Sequence, residues 1–248
     1  HFKQYSFAED HSSFGSISCL LGDSKGFLWI GYALNGVRRL DPRTGQALPF
    51  RNVPGTQNGL ADLRILAVAE DDKGNIWLGL FAGLDKYDPA TNSVTHYRSD
   101  PSNPHTLSSD RVYSIIKDRT GTLWIGTWHG GINRYAPNKQ KFLLYQNVPN
   151  DARSLSNNNV LAVLEDRAGT MWVGTSGGGL NRYDPATGLF THYYHKPDDP
   201  RSISSNVVST LLEDRQGTLW VGCSGSGGLD SFDRKANAFR HYPFENVK

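Results

Sequence analysis

Apolar and polar positions along this chain change in short bursts, and turn residues interrupt the pattern every 8 to 12 positions or so; no stretch holds the 3.6-residue apolar period of an amphipathic helix. One burst, read at Val160 to Leu164, is almost continuously apolar, as expected of a strand buried on both faces, and it ends at Asp166-x-x-Gly169, a turn sequence. A second short strand carries Trp172 and Gly174, and a third alternates Leu180 with Tyr183 before an Asp184-Pro185 turn. The fourth, Phe190 to Tyr193, alternates and is polar enough to stand at an exposed outer edge. The pattern predicts a four-stranded antiparallel meander.

The same unit recurs. Trp29, Trp77, Trp124, Trp172 and Trp220 are spaced 48, 47, 48 and 48 residues apart, and only Trp128 falls outside the series. Meandering four-stranded units of about 40 to 50 residues, repeated head to tail, predict an all-β chain folded as a β-propeller, because each unit must bury its faces against its neighbours. The blade units run over about 12–59, 60–106, 107–154, 155–202 and 203–248 of a single propeller domain, 1–248. Residues 1–11 add an extra outer strand, since Phe2 to Tyr5 matches the fourth-strand pattern, as does Phe239 to Tyr242. A ring closed by its N-terminal strand leaves its last blade without a fourth strand of its own. This duplication is therefore read in two ways: two further blades complete a larger ring, or five blades close with one redundant strand.

The string Glu-Asp-Arg-x-Gly-Thr-[Leu or Met]-Trp-Val-Gly, at Glu165 to Gly174 and Glu213 to Gly222, and Gly-Gly-Leu-Asn-Arg-Tyr-Asp-Pro at 178 to 185, resemble the two-component regulator propeller repeat. The resemblance extends over almost the whole chain. It implies a seven-bladed ring in the periplasmic or extracellular sensor portion of a bacterial hybrid histidine kinase or diguanylate cyclase, often one that regulates polysaccharide use. It also implies an oligosaccharide ligand, a kinase or cyclase output outside this chain, and a homodimer formed through the parent receptor. The first unit matches least: Gly22 stands where later units carry Glu or Lys, and Leu40 where they carry an aromatic residue.

Composition narrows the chemistry. The 248 residues carry a formal net charge of +2 with no basic run, which argues against nucleic acid and against a membrane surface. No apolar run approaches the roughly 18 residues of a membrane helix. Cys19 and Cys223 have neither zinc-site spacing nor the density of a disulfide scaffold. No Ser-His-Asp order, paired carboxylates or phosphate-cradling loop stands out, so no catalytic residue, metal or cofactor is assigned. The Asp-x-x-Gly sites offer one or two carboxylates where a calcium loop supplies several, and they read as structural turns. The periodic tryptophans read as wedges between blades.

Function is sought where the copies differ. In a four-stranded meander the hairpin between strands two and three opens on the same face as the connection between blades. There the copies carry Tyr32, Leu34 and Asn35, then Phe81, then Trp128 and His129, then Ser176 and Gly177, then Ser224 and Ser226. The aromatic set is a candidate platform for a sugar or peptide, or else an interface. Just before each first strand stand Arg64, Arg111, Asn159 and Val207. The two arginines are candidates to hold a carboxylate or sulfate bidentately, or else form a solvated rim paired with Asp62 and Asp110. Trp128, His129, Arg64, Arg111, Tyr32 and Phe81 thus form the candidate ligand site of a sensing module. The alternatives are a carbohydrate-active enzyme, a lectin or a protein-interaction scaffold, of which a lectin would repeat its binding residues in every blade.

Overall fold

The computed structural model describes residues 16–50, 58–136, 141–225 and 227–242. They fold into five four-stranded antiparallel sheets, each in simple sequence order. Blade one comprises β1 (Ile17–Gly22), β2 (Leu28–Tyr32), β3 (Val37–Leu40) and β4 (Ala47–Phe50). Blade two comprises β5 (Ile65–Glu70), β6 (Ile76–Leu80), β7 (Gly83–Asp88) and β8 (Ser93–Tyr97). Blade three follows with β9 (Val112–Lys117), β10 (Leu123–Thr127), β11 (Gly131–Ala136) and β12 (Lys141–Tyr145). Blade four is β13 (Val160–Glu165), β14 (Met171–Thr175), β15 (Leu180–Asp184) and β16 (Leu189–Tyr193). Blade five is β17 (Val208–Glu213), β18 (Leu219–Cys223), β19 (Gly228–Asp233) and β20 (Ala238–Tyr242). Among the described residues there is no helix, hence none long and apolar enough to cross a membrane. The outer strand expected at Phe2 to Tyr5 lies outside the described residues, as does Ser226.

The Asp-x-x-Gly sites are structural, and each builds the same small device. In blade four Asp166 Oδ1 accepts the backbone N–H groups of Ala168 and Thr170 at 2.9 and 2.8 Å, and Oδ2 accepts Nε1–H of Trp172 at 2.8 Å. Gly169 closes the turn at a φ of 82°, a conformation other residues adopt only under strain. Asp23, Asp71, Asp118 and Asp214 each repeat the bond to their own Trp six residues on. The carboxylate oxygens are used inside the turn, which both ends the first strand and fixes the indole for the next contact.

That contact is between blades. The rings of Trp29, Trp77, Trp124 and Trp172 meet Tyr87, Tyr135, Tyr183 and Phe232 of the following blade at 6.3, 5.1, 5.3 and 5.3 Å. Two positions after each of these tryptophans a glycine admits the next blade. A methyl group built on Gly31, Gly79, Gly126 or Gly174 would lie 2.9, 2.7, 2.5 or 2.6 Å from Ile65, Val112, Val160 or Val208. Polar latches accompany the apolar step. The backbone N–H groups of Ser24, Arg119 and Arg167 donate to Glu70, Glu165 and Glu213 of the next blade. Between blades two and three the charges are exchanged, with Lys117 at the Glu position paired to Asp72 at 2.6 Å. Gly22 leaves blade one without this acceptor.

Among the described residues, the outer faces of the first and last blades carry exposed apolar side chains. Ile17 and Leu20 on β1 are 57% exposed and Leu212 on β17 is 61% exposed. Among the described residues the Trp220 ring meets an aromatic ring only within its own blade, that of Tyr242, and Gly222 meets only Thr210 of its own blade. Among the described residues, the blades therefore stack in sequence order, with β1 and β17 exposed at the two outer faces.

Candidate ligand-binding site

One backbone bond builds the variable face in all five blades. The first residue after each Trp strand donates its N–H to the carbonyl of the residue before the first strand: Ala33 to Ser16, Phe81 to Arg64, Trp128 to Arg111, Ser176 to Asn159 and Ser224 to Val207, at 2.8 to 3.1 Å. The frame is constant while its side chains are not. Among the described residues, aromatic and cationic groups gather at blades two and three alone.

Phe81 is the centre of one cluster. The Arg64 guanidinium lies 4.0 Å from its ring centroid and that of Arg111, from the next blade, 4.5 Å. Arg64 is also held by Asp62, with Nη2 2.6 Å and Nε 3.0 Å from the carboxylate. Partial burial would raise the Asp62 carboxyl, but the Arg64 bonds outweigh it and hold it below the ordinary Asp range. Asp110 makes no such pair with Arg111: its carboxylate accepts the N–H of Ser99 at 2.7 Å. The expectation of internal partners is thus met by Asp62 and not by Asp110.

Trp128 is the centre of the second cluster. Its half-buried ring packs on Tyr113 at 5.5 Å with 33° between planes, and His129 meets its edge at 5.4 Å. Tyr113 escaped the sequence reading. It is the residue skipped where β9 pairs with β10, since Ser114 opposes Gly126 and Val112 opposes Thr127. Such a bulge frees one side chain from the alternation of its strand. Comparing the equivalent positions, Ser18, Leu66, Leu161 and Ser209, would have marked it as the one aromatic residue there.

His129 is exposed and sits at a φ of 65°, where blades four and five place Gly177 and Gly225. Its N–H is held by Asn159 Oδ1 of blade four at 2.9 Å. A left-handed non-glycine residue strains the backbone and is found disproportionately at functional sites.

Tyr32 does not join them. It is only 5% exposed and packs with Ile30 and Leu40, so its ring belongs to the blade-one core and not to the open face. The surface set is Phe81, Arg64, Arg111, Trp128 and His129, with Tyr113 beneath. These groups can stack on a flat apolar surface and donate charged hydrogen bonds. Among the described residues no three His, Cys, Asp or Glu side chains converge as a metal site.

Comparison with known proteins bears on the repeats themselves. The family model described as the two-component regulator propeller matches residues 59–81, 106–129, 154–177 and 202–225. The chain carries two-component regulator propeller repeats. Each matched segment covers the loop into the first strand, the Asp turn, the Trp strand and the start of the variable hairpin. The first blade, least similar by residue, lies outside the matched segments of this repeat family.

Solved structures share the fold of these propeller repeats. The extracellular domain of the putative hybrid two component system BT3049 from B. thetaiotaomicron superimposes with a TM-score of 0.78 at 23% identity, over 92% of this chain and 30% of that one. That of the putative one component system BT4673 from the same organism gives 0.75 at 26%, over 95% and 32%. Virginiamycin B lyase from Staphylococcus aureus gives 0.68 at 13%, over 97% and 72%. The chain thus spans about a third of the two sensor structures. No curated protein matches its sequence.

Proposed function

We propose that this chain is a ligand-sensing propeller of a bacterial receptor, placed in the periplasm or outside the cell, and that it binds an oligosaccharide on the face carrying Trp128, His129, Phe81, Arg64 and Arg111. One observation carries the reading: the five copies build an identical backbone frame, yet only blades two and three furnish it with aromatic rings and guanidinium groups. Packing within the propeller does not require them, because blades four and five close the same frame with Ser176 and Ser224. Ring faces pack on the C–H surfaces of sugars, and the neighbouring polar groups orient the hydroxyls. The propeller repeats and the sensor domains of like fold support the receptor assignment.

In this reading the chain performs no reaction. A kinase or cyclase module elsewhere in the parent protein gives the output, with the receptor acting as a homodimer. The ligand biases that output by its differential affinity for two arrangements of blades or subunits. Binding to an array of plant and host oligosaccharides, followed by calorimetric titration of the best binder against Trp128→Ala, tests the proposal. The variant should bind about 5- to 150-fold more weakly, as expected when a stacking anchor worth about 1 to 3 kcal/mol is removed. Unchanged affinity in a folded Trp128→Ala protein would overturn it.

A further inference from the structure

We propose that the ligand is acidic, and that Arg111 holds its carboxylate or sulfate group; this rests on the oligosaccharide reading above and adds the class of sugar. Phe81 gathers two guanidinium groups from adjacent blades, at 4.0 and 4.5 Å from one ring centroid. Like charges brought to one ring repel, and a ring quadrupole attracts each cation without neutralising it. Asp62 neutralises one of them through its close pairing with Arg64. The second, Arg111, is exposed and pairs with no carboxylate among the described residues. Its nearest acidic neighbour in sequence, Asp110, is engaged by the Ser99 N–H.

The blade therefore presents one uncompensated positive charge, already oriented by stacking, at a position where the other blades carry the uncharged Ser16, Asn159 and Val207 or the neutralised Arg64. A guanidinium pre-oriented on an aromatic face keeps its planar fork of N–H donors for a bidentate oxyanion. Arg111 also accepts the N–H of Trp128 on its backbone carbonyl at 2.9 Å, so the stacking ring and the cation stand on directly bonded positions of one blade. A sugar residue lying on Trp128 with a carboxylate or sulfate ester on it or on its neighbour satisfies both.

The test uses matched pairs: a tetragalacturonate with its carboxyl-reduced form, and a chondroitin sulfate tetrasaccharide with its desulfated form. Each is titrated by calorimetry into the whole chain, the Arg111→Gln, Arg111→Lys and Trp128→Ala variants, and an Arg64→Gln control. The expected result is at least a tenfold preference for one acidic form over its neutral partner. Arg111→Gln abolishes that preference, and Arg111→Lys retains part of it. Which pair shows the preference tells carboxylate from sulfate. Binding of neutral and acidic forms alike, sensitive to Trp128→Ala and indifferent to Arg111→Gln, overturns this inference and leaves the oligosaccharide reading intact. A preference removed by Arg64→Gln and not by Arg111→Gln overturns the assignment to Arg111. If the oligosaccharide array yields only neutral binders, this inference alone falls; if it yields no binder at all, both readings fall.

Discussion

Trp172 and Phe232 belong to different blades, yet their rings stand 5.3 Å apart, edge to face, with the indole N–H held at 2.8 Å by Asp166. The contact repeats at three other blade junctions and, among the described residues, is absent at Trp220, which is partly exposed. Trp172→Ala removes a fully buried ring from a junction and should destabilise the fold by about 3 to 5 kcal/mol. Trp220→Ala, with no following blade described against it, should cost less than about 3 kcal/mol. Urea denaturation of the two variants side by side checks the order, and equal losses would contradict the difference in packing.

The six indole N–H groups divide five to one. Those of Trp29, Trp77, Trp124, Trp172 and Trp220 each donate to an Asp. Trp128 has no such acceptor among the described residues. Of the six indole resonances, that of Trp128 should exchange fastest with solvent, and it should shift most on addition of a sugar that binds at the proposed face.

His129 holds a left-handed conformation that blades four and five give to glycine. Replacing it with glycine relieves backbone strain on the order of 1 kcal/mol. His129→Gly should therefore melt at a temperature equal to or above that of the parent chain, while losing ligand affinity if the imidazole contacts the sugar. A clear fall in melting temperature would show instead that the side chain stabilises the hairpin.

Two groups of carboxylates give opposite pH dependences. Burial alone would raise Asp166, but the Trp172 and Thr170 N–H groups and Arg234 outweigh it and leave the carboxyl below the ordinary value of about 3.9. A depressed group contributes stability above that value and loses it as pH falls through the lower folded value. Asp166→Asn should therefore be less stable than the parent at neutral pH, with the difference vanishing in acid.

Asp85 behaves oppositely. Burial raises it more than the Ala61 N–H and His96 lower it. Its favourable contribution is complete below the ordinary Asp value and is lost as pH rises through the raised folded value. Asn133 and Asn181 take the equivalent place in blades three and four, accepting the N–H groups of Ser108 and Ser156 as Asp85 accepts that of Ala61. Asp85→Asn should fold, and its stability relative to the parent should rise with pH across that window. Thermal melts of both variants from pH 3 to about 7 separate the two signs.

The sequence alone determined the propeller and the work of its repeated residues. A strand's alternation, an Asp turn and an indole six residues later are short-range relations, repeated at every blade, and so they stand in the linear order of the chain. The same comparison located the irregular face and most of its residues. Tyr32 is not among them: it ends its strand three residues after Trp29, as the buried Leu80 does after Trp77, and packs with Ile30 and Leu40 in the core of blade one, one residue before the open-face position. Two things were decided only by the tertiary structure. The bulge in β9 turned Tyr113 toward Trp128, because one skipped residue breaks the alternation that a sequence pattern assumes. The meeting of two arginines on Phe81, one paired by Asp62 and the other not, depends on how adjacent blades are set against each other. Residues 47 positions apart in sequence become neighbours there because each blade buries its Trp face on the next, and no local pattern records which charges that rotation brings together.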